Sequence, residues 1–99
     1  MPSPNQPFYR DKHLFVDLHN QVVMLDLKIL TLTRMEYRLL ALLVKRAGEV
    51  VPRPILLKLT GPLDVHLWRL QKKLGKYGNQ YIETVTGIGY RFRPLPPRD

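Results

Sequence analysis

One stretch of the chain gathers side chains suited to chemistry on a polyanion. From Leu63 to Gly75, the leucines Leu63, Leu67, Leu70 and Leu74 recur at intervals of four, three and four, so on a helix they share one face. At about 100° per residue the opposite face carries Val65, Trp68, Arg69, Lys72 and Lys76. His66 and Lys73 flank that face on one side, Asp64 and Gln71 on the other. Arginine brings a planar fork of donors, lysine a flexible point charge, and valine and tryptophan an apolar surface. Pro62 suits the first helical position, where its missing N–H would have no partner. Asp64 near the start and Lys72, Lys73 and Lys76 near the end match the helix dipole. Periodicity alone also allows a solvated surface helix, so the neighbouring elements must decide.

Other chemistries find little support. Cysteine is absent, which excludes disulfides, zinc thiolate sites and thiol catalysis and permits a reducing compartment. His13, His19 and His66 lie in separate elements, and His13 with His19 has no recognised metal spacing. The acidic residues are scattered singly, with no pair near an activated Ser or His. No catalytic role, metal or cofactor is expected. No apolar run approaches the roughly 18 residues of a membrane span, so no membrane partner is expected.

Charge favours nucleic acid or another anionic surface. The chain of 99 residues has a formal net charge of +8. Residues 1–51 hold seven Lys/Arg against five Asp/Glu, and residues 52–99 hold nine against three. The second half therefore carries most of the field, and the basic helix lies within it.

The elements that would position this helix can be taken in order. Residues 1–7 read as a flexible leader or linker, 8–94 as one domain, and 95–99 as an extended tail. Between Phe8 and Leu32, short apolar runs at 13–18, 21–25 and 29–32 predict an antiparallel meander of three or four strands, Phe8–Arg10 adding the fourth. His19-Asn20 is a plausible tight turn. Asp26-Leu27-Lys28 is a weaker one, having no glycine to take a positive φ.

Thr33 and Glu36 form a capping-box pattern, and a helix should run from there to Ala47 with Met35, Leu39, Leu40, Leu42, Leu43 and Val44 inside. Gly48 would supply its stop. Val50-Val51 permits a very short strand, Pro52 and Pro54 break the chain direction, and Ile55–Leu59 is a short apolar helix ended by Thr60-Gly61-Pro62. Two helices joined so tightly, the second one basic, form a helix-turn-helix. Residues 75–79 read as a glycine-rich polar turn. Tyr81–Val85 and Tyr90–Arg93 are strands joined across Thr86–Gly89, a hairpin wing. The expected class is α+β: a winged helix-turn-helix with an N-terminal antiparallel sheet, three helices and a C-terminal β-hairpin.

These residues resemble the winged-helix DNA-binding domain of OmpR/PhoB-type response regulators. The resemblance runs from about His13 to Phe92 and is densest at 32–40, at Gly48–Val51 with Arg53 and Leu56-Leu57, at 64–74 and at 81–92. It implies a cytoplasmic, two-component-type transcription regulator that binds double-stranded DNA. The helix from Leu63 would enter the major groove and the hairpin would reach the adjacent minor groove. It further implies direct-repeat operators, head-to-tail dimers on DNA, a receiver domain outside this sequence that faces the N-terminal sheet, and contact with RNA polymerase through the connector before the recognition helix.

Carried over by position, Val65 matches an apolar contact to thymine methyls and Arg69 a base-reading arginine. His66, Lys72 and Lys73 fall where phosphates are held, with Lys76 extending the basic side. Thr84, Thr86 and Arg91 belong to the wing, and Arg91 could instead brace the hairpin.

Three departures stand out. Trp68 occupies a position where relatives usually carry arginine or another polar residue. Thr86 stands where many place a minor-groove arginine, which weakens readout there. The connector Thr60-Gly61-Pro62 is short for the family. All three leave room for the alternative of a winged helix used mainly for protein–protein contact, with degenerate DNA binding.

Overall fold

Short apolar runs build a four-stranded meander at the start of the described chain. In the computed structural model, which describes residues 8–95, β1 (Phe8–Arg10), β2 (Leu14–Asp17), β3 (Val22–Leu25) and β4 (Lys28–Ile29) pair antiparallel in that order. The expected leader at 1–7 and the tail beyond Leu95 lie outside the described residues. Tyr9, Leu14, Val16 and Val23 are buried on the inner face. Asp17 holds the β2–β3 turn, accepting the backbone N–H groups of His19 at 2.9 Å and Asn20 at 2.8 Å.

The β3–β4 turn forms despite its lack of glycine. Leu25 pairs with Lys28, leaving Asp26 and Leu27 as a two-residue turn at φ +50° and +69°. That is the left-handed region, costly for a leucine. Asp26 is bound from two sides: its Oδ1 lies 2.8 Å from His13 Nδ1, and its Oδ2 accepts the Tyr77 hydroxyl at 3.0 Å. β4 ends at Ile29, short of the expected Leu32, as the chain leaves the sheet for the Thr33 cap.

Helix α1 (Arg34–Lys45) begins with the full capping box: Glu36 N–H donates to Thr33 Oγ1 at 3.2 Å, and Thr33 N–H to Glu36 Oε1 at 2.9 Å. Leu39, Leu40, Leu43 and Val44 are buried, while Met35 and Leu42, expected inside, are half-buried. The helix stops at a C-cap on Arg46, two residues before Gly48.

β5 (Val50–Pro52) leads into α2 (Arg53–Thr60), which starts earlier than the expected Ile55 because Pro54 sits in the first turn, where an N–H has no partner to lose. Only Gly61 and Pro62 then separate α2 from α3 (Leu63–Leu74). Pro62 is the N-cap of α3, not its first helical residue.

Residues 75–81, expected as a polar turn entering a strand, instead coil into a 3-10 turn (Gly75–Tyr77) and a one-turn helix α4 (Gly78–Tyr81). Tyr77 and Tyr81 are both buried, and the short rise of a helical turn brings two side chains four residues apart close together on one side.

The wing strands β6 (Ile82–Val85) and β7 (Gly89–Phe92) do not stand alone as a hairpin. β5 pairs with the free edge of β7, giving a three-stranded sheet in the order β5-β7-β6. Gly89 makes this possible: a Cβ there would lie 2.0 Å from the Val51 carbonyl oxygen. The Phe92 ring stacks on Tyr81 at 5.6 Å and meets the edge of Tyr9 at 5.1 Å, so both sheets and α4 close on one aromatic centre.

Candidate nucleic-acid interface

Helix α3 is pressed onto the core by Leu63, Leu67, Leu70 and Leu74, which are no more than 4% exposed. The opposite side is therefore directed outward. Val65 is 47% and Trp68 60% exposed, and Arg69 and Lys72 are exposed beside them. Lys72 Nζ lies 4.7 Å from the centroid of the Trp68 ring, a cation–π contact across one helical turn. Among the described residues, no carboxylate pairs with Arg69, Lys72 or Lys76. Lys76 lies beyond α3, in the 3-10 turn, with its ammonium 5.3 Å from the Tyr77 ring centroid.

Two of the cations expected at phosphates already have partners within the fold. Lys73 donates to Glu36 Oε1 at 2.7 Å, and Glu36 is fully buried. Burial pushes the Glu36 carboxyl up, but the hydrogen bonds from Lys73 and Thr33 and the lysine's charge outweigh it and hold the group below the usual carboxylate range. A carboxylate sealed at the start of α1 needs a cation, and Lys73 supplies it while fixing the end of α3. Arg91 braces the wing: its Nε and one terminal nitrogen both lie 2.9 Å from Glu83 Oε1, across a directly paired position of β6 and β7.

His66, also expected at a phosphate, has no partner of this kind. The side chain is half-buried, and its Nδ1 is buried without a hydrogen-bond partner among the described residues. In the wing, Thr84 and Thr86 are exposed. Ile88, which follows Gly87 in the turn, is 55% exposed, so the tip offers a hydroxyl and an apolar side chain where a cation would give strong minor-groove binding.

Arg53 belongs to the same side of the molecule and was not singled out as a site residue. Its guanidinium bonds to Asp64 at 2.9 Å, tying the start of α2 to the start of α3. Its backbone N–H donates to the Ile88 carbonyl at 3.0 Å, tying both to the wing. Its place between two prolines was the available signal. Glu36 was legible as a cap but not as the partner of a lysine 37 residues away.

Comparison with known proteins agrees with this geometry. Residues 28–92, more than half of the chain, match the family described as transcriptional regulatory protein, C terminal. The chain is 40% identical over 86 residues to the swarming motility regulation protein RssB of Serratia marcescens, covering 78% of this chain and 38% of RssB. The chain thus spans well under half the length of such curated relatives. Among solved structures, the response regulator DrrB, a Thermotoga maritima OmpR/PhoB homologue, superposes with a TM-score of 0.82 at 28% identity, over 90% of this chain and 45% of that one. The DNA-binding domain of Klebsiella pneumoniae RstA, solved in complex with the RstA box, gives 0.80 at 29% identity, over 91% of this chain and all of that one. With the family's segment matched from β4 to the last wing strand, the chain belongs to the C-terminal domains of transcriptional regulatory proteins, the winged-helix effector domains of the OmpR/PhoB type.

Proposed function

We propose that this domain binds duplex DNA at a preferred sequence, as the output domain of a two-component-type transcriptional regulator in the cytoplasm. Helix α3 enters the major groove and the β6–β7 wing lies at the adjacent minor groove. The observation that carries this is the outward side of α3, where Val65, Trp68, Arg69 and Lys72 stand side by side on a helix anchored by four buried leucines. Arg69 reads a base edge through its fork of donors, while Lys72 and Lys76 neutralise phosphates. Thr84 and Thr86 add wing contacts to the backbone. Lys73 and Arg91 border this surface and chiefly hold its shape through Glu36 and Glu83, while His66 lies half-buried beside Val65 and meets a phosphate. The RstA domain, similar over its whole length, was solved in complex with the RstA box, which supports the same use here.

The finer features follow the family. The operator is a direct repeat occupied by a head-to-tail dimer, and a receiver domain in the longer protein faces the N-terminal sheet. Contact with RNA polymerase through the connector has only Gly61 and Pro62 to use, and control by occupancy of the site needs no such contact.

Selection of bound sites from random duplexes tests the proposal. A recovered repeat with a steep salt dependence is the expected result. Weak, salt-sensitive binding with no recovered sequence would favour the second use, docking to an acidic protein through Trp68, whose 60% exposure is unusual for an indole.

A further inference from the structure

The recognition surface is not uniformly basic. Val65 and Trp68, three residues apart on α3, expose apolar surface next to one another, and together they occupy the outward line of the helix ahead of Lys72. The indole has a neighbour that favours this placement. Lys72 Nζ sits over one of its faces at 4.7 Å, so the ring is held along the helix with its remaining surface outward. No core residue claims it, and its apolar surface left in water costs free energy that an apolar partner would relieve.

In the major groove the largest apolar feature a base pair presents is the C5 methyl group of thymine; cytosine offers only a C5 hydrogen there, and the nitrogen and oxygen groups of the edge are donors or acceptors. We infer that Trp68 is a specificity-determining residue that reads thymine methyl groups, forming with Val65 a two-residue apolar strip that selects neighbouring thymines beside the base read by Arg69.

This inference rests on the DNA-binding proposal, and the test separates the two. In the duplex recovered by selection, each thymine is replaced in turn by uracil, which removes only the methyl group and preserves the base pair. The intact domain is expected to lose about three- to fivefold in affinity at the thymine under Trp68, the worth of one buried methyl. Trp68→Ala, at an exposed position that leaves the core untouched, should bind more weakly and show no further loss at that same thymine. It should keep its sensitivity at the thymine under Val65, and Val65→Ala should show the reverse pattern. A recovered duplex indifferent to uracil at every position overturns the inference alone. So does a uracil profile identical in the intact domain and Trp68→Ala. Failure to recover any preferred duplex overturns the DNA-binding proposal and this inference with it.

Discussion

At the scale of single residues, the cations of the basic helix divide into those that are free and those already spoken for. Arg69 and Lys72 have no carboxylate partner among the described residues, whereas Lys73 is held at 2.7 Å by Glu36. Arg69→Ala should cost about 1–3 kcal/mol on the preferred duplex and less on random DNA. Equal losses on both, measured by titration at fixed salt, would show that Arg69 meets only phosphate. Lys76→Ala should instead weaken binding evenly across sequences and flatten the salt slope by about one, because it meets phosphate and does not touch the Trp68 ring. Lys73 behaves differently because its loss strands a buried carboxylate. Lys73→Met should lower the unfolding free energy by about 1–3 kcal/mol, since the lysine itself is partly exposed, and adding Glu36→Gln should recover much of that loss. Urea unfolding of the two single variants and the double decides it; additive effects would mean that the pair is not coupled.

At the scale of elements, two turns differ in what they demand of the backbone. Gly89 brings β7 against β5 so closely that a Cβ would meet the Val51 carbonyl oxygen at 2.0 Å and the Arg53 nitrogen at 3.0 Å. Backbone cannot move aside as a side chain can. Gly89→Ala should therefore destabilise the domain by about 3 kcal/mol and loosen the wing sheet, seen as faster amide exchange at Val51 and Tyr90. In the β3–β4 turn the demand runs the other way. Leu27 holds a φ of +69° while 90% exposed, so it carries backbone strain and makes little contact. Leu27→Gly should raise stability by about 0.5–1 kcal/mol, read from the urea midpoint, and an unchanged midpoint would show that glycine's extra unfolded-state freedom cancels the relief. The neighbouring Asp26 should stay, because His13 and Tyr77 depend on its carboxylate.

At the scale of the whole molecule, ionic and polar contacts join parts far apart in the chain. Asp11, before β2, accepts the Tyr81 hydroxyl at 2.7 Å and also that of Tyr9, locking the first sheet to the segment after α3. Burial and this carboxylate push the Tyr9 and Tyr81 hydroxyls well above their ordinary range.

Three carboxyls sit below theirs: Asp17 through hydrogen bonds from Asn20, Asp26 through His13, and Glu36 through Lys73 and Thr33 against the opposing effect of burial. A depressed folded-state value means that the unfolded chain binds protons first as the pH falls. Stability from these groups is thus fully present above about pH 4.5 and is lost as the pH drops through their lower folded values. Urea midpoints measured from pH 7 to pH 3 should fall below about pH 4.5, and Glu36→Gln should be less stable at pH 7 but show a shallower acid loss. A midpoint that rises on acidification would contradict the assignment.

Much of this architecture was legible in the order of residues. The leucine spacing of α3 fixes which side is buried, because a helix has one period and leucine cannot be left in water without cost. The capping box at Thr33 was equally local, since both bonds lie within four residues. The sequence by itself thus determined that a basic, partly apolar helix would follow a tight turn and precede a hairpin.

The tertiary structure decided what depends on partners distant along the chain. It recruited Val50–Pro52 as a third wing strand through the space left at Gly89, coiled residues 75–81 so that two tyrosines could reach the core, and forced Asp26 and Leu27 into a left-handed turn. It also sorted the cations of α3, assigning Lys73 to Glu36 and leaving Arg69 and Lys72 outward, because a buried carboxylate takes the cation that the packing of two helices brings to it.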